Sequence, residues 1–179
     1  MFIVSLSNIA FIDGANLHLS YEYLDWKLDY NKLRIYLQKR LNIRTAYYFL
    51  GKTINSTPIC RKLESYGYEI RLKEPTYYAT EEEYCPYCWG MIKPRVSRHK
   101  SDCDSLLTMD VMANLPSFYQ AIIITNDGDF DNLITKLAQQ DKLRLVFAPY
   151  RKSCSDLLIK AANRRIAFID DFRKELEKT

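Results

Sequence analysis

The amino-acid sequence predicts a three-layer α/β/α domain with a mostly parallel central sheet. Short apolar segments alternate along the chain with segments whose apolar residues recur every three or four positions, as alternating strands and helices do. Two of the apolar segments, residues 8–13 and 121–125, stop abruptly in acidic residues. That pattern is typical of buried parallel strands that present polar groups at their carboxyl ends. The 179-residue chain is long enough for one such domain.

The predicted elements follow one another regularly on both sides of a central interruption. Residues 14–16 are expected to form only the turn after the first strand. At residues 74–103 the alternation stops, and prolines, tyrosines and cysteines predict an insertion within a single domain spanning residues 1–179. We expect strands at residues 8–13, 43–50, 68–72, 121–125, 143–147 and 165–169, and helices at residues 31–41, 58–66, 102–115, 132–140 and 155–162.

Composition and charge exclude several classes of protein. The sequence is 47% hydrophobic, and no segment is apolar for long enough to cross a bilayer, so we do not expect a membrane protein. The first residues lack a basic region and a cleavage site, which favours a strand over a secretion signal. Five cysteines, an odd number, fit a reducing compartment, so we expect a cytoplasmic protein. A net charge of +4 favours an anionic partner such as nucleic acid, and the oligomeric state, a homo-oligomer included, stays open.

Aspartates gather at the predicted strand ends. Asp13 ends the first strand, and Asp127 and Asp129 follow a later one. Loops after neighbouring parallel strands meet where the strand order reverses, so these acids are expected to converge. Carboxylate oxygens in such a group suit Mg²⁺ or Mn²⁺ and the hydrolysis of a phosphodiester. A competing interpretation is that Asp129 caps the following helix and Asp131 only occupies its first turn.

Three short motifs occur along the chain in a fixed order: FIDGANL at residues 11–17, the pair Asp104 and Asp110, and TNDGDF at residues 125–130. In this order they resemble the motifs of NYN domains, which belong to the PIN-like superfamily of metal-dependent ribonucleases. The LabA-like bacterial and archaeal branch is the most similar, over about residues 8–150. The resemblance implies a PIN-like, Rossmann-like sheet and an endoribonuclease that depends on Mg²⁺ or Mn²⁺.

The same resemblance implies roles for individual residues at the acidic site. Asn16 would orient a carboxylate or contact the phosphate, and Asn126 is assigned with it to substrate binding. Asp131 would replace or assist Asp129, since related nucleases differ in which acid of this loop they use. The residues implied to bind one or two Mg²⁺ or Mn²⁺ ions and to catalyse hydrolysis are Asp13, Asp104, Asp127 and Asp129.

The approach to the helical acid departs from the family pattern. NYN sequences commonly have Lys-Gly-Val-Asp there, whereas this chain has Ser-Asp-Cys-Asp at residues 101–104. Asp102 is therefore an alternative ligand, although the spacing to Asp110 favours Asp104. Some family members have no demonstrated nuclease activity. A catalytically inactive module that binds RNA or a protein is thus the alternative function.

The insertion predicts a second metal site. Cys85 and Cys88 form a C-x2-C knuckle, and His99 and Cys103 follow at a spacing that would put both on one face of a helical turn. These four residues would hold a structural Zn²⁺, because four protein ligands leave no open position for substrate. The alternative is a knuckle without metal, with His99 as a basic surface group.

A run of aromatic residues in the same insertion is followed by a run of basic residues. Aromatic faces stack exposed bases and cations follow the phosphate chain, so single-stranded RNA is the expected partner. The alternative is a hairpin whose aromatic side chains pack on the body of the domain. The basic residues assigned to substrate binding are Arg95, Arg98 and Lys100, and the aromatic residues are Tyr77, Tyr78, Tyr84, Tyr87 and Trp89.

Overall fold

Ten strands occur in the computed structural model, which describes residues 6–19, 22–53, 56–79, 81–93, 97–100 and 103–179. Six of these strands form the central sheet and the other four form two sheets of two strands each. The strands are β1 (Asn8–Asp13), β2 (Ile43–Gly51), β3 (Glu69–Lys73), β4 (Thr76–Ala79), β5 (Glu83–Tyr84), β6 (Met91–Lys93), β7 (Ser97–Lys100), β8 (Ala121–Ile124), β9 (Leu143–Ala148) and β10 (Ile166–Phe168).

The central sheet has the order β10-β9-β8-β1-β2-β3, and every neighbouring pair is parallel. From β1 the chain builds outward through β2 and β3, and from β8 it builds in the opposite direction through β9 and β10. The order therefore reverses between β1 and β8, where Ile12 pairs with Ile124. This is the position at which α/β sheets place their ligand sites. The predicted fold class is confirmed.

Helices cover both faces of the sheet. Side chains along β1 alternate between two buried clusters: Ala10 and Ile12 pack with Leu17 and Leu33, whereas Phe11 packs with Leu107. Burial on both faces explains why β1 and β8 are nearly continuous apolar runs. Among the described helices, none combines the length and the apolar character that crossing a bilayer requires. The helices are α1 (Gly14–Leu19), α2 (Tyr30–Leu41), α3 (Ser56–Ser65), α4 (Asp104–Ala113), α5 (Asp131–Gln139), α6 (Asp156–Ala162) and α7 (Arg173–Leu176).

Helix α1 replaces the turn predicted after the first strand. The Asp13 carboxylate accepts a hydrogen bond from the backbone N–H of Asn16 at 3.0 Å, which caps the helix at the last residue of β1. A Cβ atom on Gly14 would collide with the carbonyl oxygen of Phe49 and with the Tyr48 ring. The glycine thus allows the helix to begin directly against β2. This helix of six residues is too short to show a sequence period.

The insertion between β3 and α4 contains two antiparallel pairs of strands, β4 with β7 and the hairpin of β5 with β6. His99 lies in β7, where it pairs with Tyr77, so the prediction that His99 and Cys103 share a helical turn is wrong. Strand pairing with β4 fixes the extended backbone at His99. Cys103 precedes α4 and is 5% exposed, within the buried cluster that includes Leu107.

Candidate active site

The loop after β8 is shaped by its own side chains. The Asp127 carboxylate accepts the backbone N–H of Asp129 at 3.0 Å and caps the short 3-10 turn Gly128–Phe130. Helix α5 then begins at Asp131 without a side-chain cap. The interpretation of Asp129 as the helix cap is therefore wrong, because Phe130 is the N-cap residue of α5 and Asp127 caps the 3-10 turn before it, whereas Asp131 does occupy the first turn of α5.

Three carboxylates meet at this loop. Asp104, Asp127 and Asp129 each offer an oxygen atom within 4.8 Å of the others. Asp104 is the first residue of α4, Asp127 is half-buried and Asp129 is exposed. Two oxygens bound to one Mg²⁺ at about 2.1 Å lie at most roughly 4.2 Å apart, so small movements would close this group around an ion. Its all-oxygen donors fit Mg²⁺ or Mn²⁺ better than a thiophilic metal.

Asp13 lies beside this group and is linked to it through Thr125. The Thr125 hydroxyl donates to the Asp13 carboxylate at 3.1 Å and accepts the backbone N–H of Asp127 at 3.1 Å. Asp13 is only 4% exposed. Burial raises the pKa of Asp13 above its ordinary value of 3.8, and the negative charge of Asp127 raises it further, against the hydrogen bonds from Asn16 and Thr125. Asp13 is thus a buried carboxylate that contacts the group of Asp104, Asp127 and Asp129 through Thr125.

Two asparagines hold the loop in place. Asn16 accepts the backbone N–H of Asn126 on its side-chain oxygen at 2.9 Å, which joins α1 to the end of β8. Asn126 is 8% exposed, and its amide donates to the carbonyl oxygen of Tyr150 at 3.1 Å and to the Ser153 hydroxyl at 2.7 Å. These bonds brace the loop between α1 and the segment after β9.

A cleft of about 500 Å³ lies beside these two asparagines. Asn16 and Asn126 line it, together with the acidic residues Glu22, Asp127 and Asp129, and none of the described residues that line it is Lys or Arg. Carboxylates gathered in one cleft repel one another. A bound divalent ion would relieve that repulsion.

Other predicted site residues lie apart from this cleft. The side chain of Asp131 accepts a hydrogen bond from the Asn132 amide at 2.8 Å, and Asp131 is not part of the three-carboxylate group. Asp110 lies further along α4 and is paired with Arg71 at 3.0 Å. Asp102 and Arg95 fall outside the described residues, as do the side chains of Arg98, His99 and Lys100.

The C-x2-C knuckle is formed at the tip of the β5–β6 hairpin. Cys85 donates its backbone N–H to the carbonyl oxygen of Gly90 at 2.8 Å and accepts from the backbone N–H of Trp89 at 2.9 Å. Hydrogen bonds from the backbone N–H groups of Cys88 and Tyr87, and from the Cys88 thiol, lower the pKa of the Cys85 thiol. Among the described side chains, Cys103 does not join these two sulfurs in a group of metal ligands.

The family model for the NYN domain matches residues 8–170 of the chain. The chain belongs to the NYN domain family. NYN domains are part of the PIN-like nuclease superfamily, and the parallel sheet with its acidic cluster agrees with that membership. The LabA-like branch stays a prediction.

A solved structure with a similar fold was found among the matches. It is a protein of unknown function from Vibrio parahaemolyticus RIMD 2210633, with a TM-score of 0.70 and 23% sequence identity, and the match covers 98% of this chain and 99% of that one. At this identity the likeness shows the fold alone. Comparison with curated proteins gave no match.

Sequence reasoning missed three residues of this NYN site. Thr125 belongs to the TNDGDF motif, but its link between the Asp13 carboxylate and the backbone N–H of Asp127 could be predicted only by knowing that β1 and β8 are adjacent. Glu22 lies in an irregular segment after α1, and no pattern in the sequence marks it. Ser153 becomes a partner of Asn126 only because the loop after β9 folds back over β8. The missed residues are therefore those that depend on long-range contacts.

Proposed function

We propose that this NYN protein is a metal-dependent endoribonuclease that hydrolyses phosphodiester bonds of single-stranded RNA. The observation that carries the proposal is the group formed by Asp104, Asp127 and Asp129, whose oxygens lie within 4.8 Å of one another at the switch point of the sheet. Such a set of hard donors at this place suits a divalent ion that acts on phosphate.

The acids have two different roles in this proposal. Asp104, Asp127 and Asp129 hold Mg²⁺ or Mn²⁺. Asp13 belongs to the same site as a buried neighbour whose hydrogen bond to Thr125 fixes the backbone at Asp127. A divalent ion bound there would neutralise charge on the scissile phosphate and acidify the attacking water. Asn16 keeps α1 in register with the loop that carries the acids.

The exposed aromatic side chains of the insertion favour single-stranded RNA as the substrate. Tyr87 is 94% exposed and Trp89 is 79% exposed, on the hairpin that also carries the cysteine knuckle. Exposed aromatic rings of this kind stack on unpaired bases, which a duplex does not offer. We assign Arg95, Arg98 and Lys100 to the phosphates of the same strand, because they occur in the same insertion.

The test is cleavage of a fluorescently labelled, unstructured RNA with and without Mn²⁺. We expect wild-type protein to cut it and Asp127→Asn to lose activity by about 100-fold or more, because a ligand of the ion is removed. Asp131→Asn is the matched control, since it removes a charge of the same loop outside the three-carboxylate group. Circular dichroism verifies that both variants are folded.

Two results would reject the proposal. Equal cleavage by wild type and Asp127→Asn would exclude the acids as the catalytic site. Tight RNA binding by wild type without metal-dependent cleavage would favour the alternative, a catalytically inactive module that binds RNA through the exposed hairpin. A labelled duplex of the same sequence, tested in parallel, shows whether single strands are preferred.

A further inference from the structure

A second pocket shares helix α1 with the acidic cleft. Asn16 and Leu19 of this helix line the cleft, whereas Leu17 and His18 line the second pocket. The second pocket is the larger of the two, at about 670 Å³, a volume typical of sites for small organic ligands. Nothing in the proposed hydrolysis uses it.

The rim of this pocket is basic. Lys27, Lys62 and Lys178 come from three separate parts of the chain, and all three are exposed. None of them forms an ion pair with an acid in the part of the chain that the structure describes. Three lysines converging on one opening create a positive potential that attracts an anion.

The acids of the pocket are already engaged elsewhere. Asp25 accepts two hydrogen bonds from Arg173, at 3.0 and 3.2 Å. Asp29 caps α2 by accepting the backbone N–H groups of Asn31 and Lys32 at 2.8 and 3.1 Å. Neither carboxylate forms an ion pair with Lys27, Lys62 or Lys178 among the described residues, so the three ammonium groups can contact a ligand at the rim.

The floor of the pocket is apolar and aromatic. It includes Leu24 and Trp26, which are 7% and 5% exposed, and the half-buried rings of Tyr30 and Tyr66. Flat aromatic walls accept the face of a nucleobase, and ammonium groups at the edge accept its phosphate. We propose that this pocket binds a nucleotide, with the base against the aromatic floor and the phosphate at the lysine rim.

The floor is connected to the acidic site through two tyrosines. The Tyr30 ring packs edge-on against the Tyr48 ring with their centroids 6.1 Å apart, and the Tyr48 hydroxyl donates to the carbonyl oxygen of Gly14 at 3.4 Å. Gly14 follows Asp13 directly, so the two sites are joined by a short series of contacts. The nucleotide has two sources: a residue of the RNA strand a few positions from the scissile phosphate, or a free nucleotide. The first source rests on the proposed function.

Intrinsic fluorescence tests the binding directly. The chain has two tryptophans, so in a Trp89→Phe background Trp26 is the sole reporter. In EDTA, we expect adenosine monophosphate to change its emission saturably, whereas inorganic phosphate alone does not. Lys62→Glu should weaken this binding by about fivefold to tenfold, because it reverses a charge at the rim. Lys136→Glu is the control, because it makes the same change on α5, outside the pocket.

Three results would overturn the proposal. They are no saturable change with adenosine monophosphate, equal affinity in Lys62→Glu and the control, or the full change produced by phosphate alone. Competition with a labelled single-stranded RNA then separates the sources. Displacement of the RNA by the nucleotide identifies a substrate subsite, and simultaneous binding identifies a site for free nucleotide. Because these measurements contain no metal, a failure of RNA cleavage would leave their result unchanged.

Discussion

At the scale of single residues, the acids of the site differ in their surroundings. Asp129 is exposed and Asp127 is half-buried, whereas Asp13 is buried in contact with Thr125. A buried carboxylate opposes folding when it is ionised, because burial removes it from water. Asp13 therefore contributes to the site at the expense of stability, as functional residues often do.

This difference predicts how stability depends on pH without metal. The folded-state pKa of Asp13 is raised, so its proton stabilises the fold below the unfolded pKa, near pH 4, and that stability is lost as pH rises through the folded pKa. Asp13→Asn removes the titrating carboxyl group, so the variant does not lose this stability as the pH rises. In EDTA we expect the variant to unfold at a higher temperature than wild type at pH 7, with the difference shrinking toward pH 4. A difference independent of pH would contradict this role.

Gly14 provides a second prediction about a single residue. A methyl group there would meet the carbonyl oxygen of Phe49, a backbone atom of a central strand that cannot turn away. Gly14→Ala should lower the free energy of unfolding by about 1–3 kcal/mol, measured by urea denaturation. At Gly90 a Cβ would meet the Cys88 sulfur at an ordinary 3.4 Å, so Gly90→Ala is the control and should change stability little. Equal stability of the two variants would refute the close-packing argument.

At the scale of elements, the β5–β6 hairpin of the insertion carries three features. These are the C-x2-C knuckle, the exposed rings of Tyr87 and Trp89, and an ion pair between Lys93 and Glu83 across the hairpin. Backbone N–H groups directed at the Cys85 sulfur favour its thiolate, the form that binds zinc. Zinc at this knuckle is therefore a prediction that the local geometry favours.

Thiol labelling tests the knuckle. Burial raises the pKa of the Cys154 thiol to about 11 and also raises that of Cys60, whereas the pKa of Cys85 is lowered. In EDTA at pH 7.5, iodoacetamide should therefore modify Cys85 well before Cys60 and Cys154, as mass spectrometry of peptides would show.

Added zinc should protect Cys85 from this labelling. Elemental analysis should find one zinc per chain in wild type and in Cys60→Ser, and none in Cys85→Ser. Labelling of Cys85 at the same rate with and without zinc would exclude the metal knuckle.

Some elements were predictable from the sequence and others were not. The run at residues 121–125 predicted β8, because continuous apolar residues imply burial on both faces. The acids that follow this run predicted a group of carboxylates at the end of the strand. Helix α1 was missed because six residues show no period. The strand at His99 was missed because pairing with Tyr77, which is distant in sequence, overrides the helical spacing to Cys103. Local sequence patterns thus predict regular elements, but they miss a very short helix such as α1 and a strand such as β7 that is fixed by long-range pairing.

At the scale of the whole molecule, metal binding and folding are linked. An ion that binds only the native arrangement of Asp104, Asp127 and Asp129 stabilises the entire domain. At 100 times its dissociation constant it would contribute about 2.7 kcal/mol, which corresponds to roughly 5–10 °C in the melting temperature of a domain of this size.

We therefore expect Mn²⁺ to raise the melting temperature of wild type by about 5–10 °C in differential scanning fluorimetry. Asp129→Asn and Asp104→Asn should lose most of this shift, whereas Asp131→Asn should keep it. The comparison decides between Asp129 and Asp131 as the ligand, and adding Asp102→Asn decides between Asp102 and Asp104. A shift that is the same in all four variants would place the ion elsewhere.

The pairing of β1 with β8 determines at what stage of folding the site forms. Asp13 and its partner Thr125 are 112 residues apart, and the acids of the metal group all come from the second half of the chain. Closing so long a loop is costly, so contacts of this kind form together with the fold as a whole. An incomplete chain that ends before β8 would hold Asp13 but no metal group. The protein would therefore acquire its proposed nuclease activity only after β8 and the loop that follows it have joined β1 in the sheet.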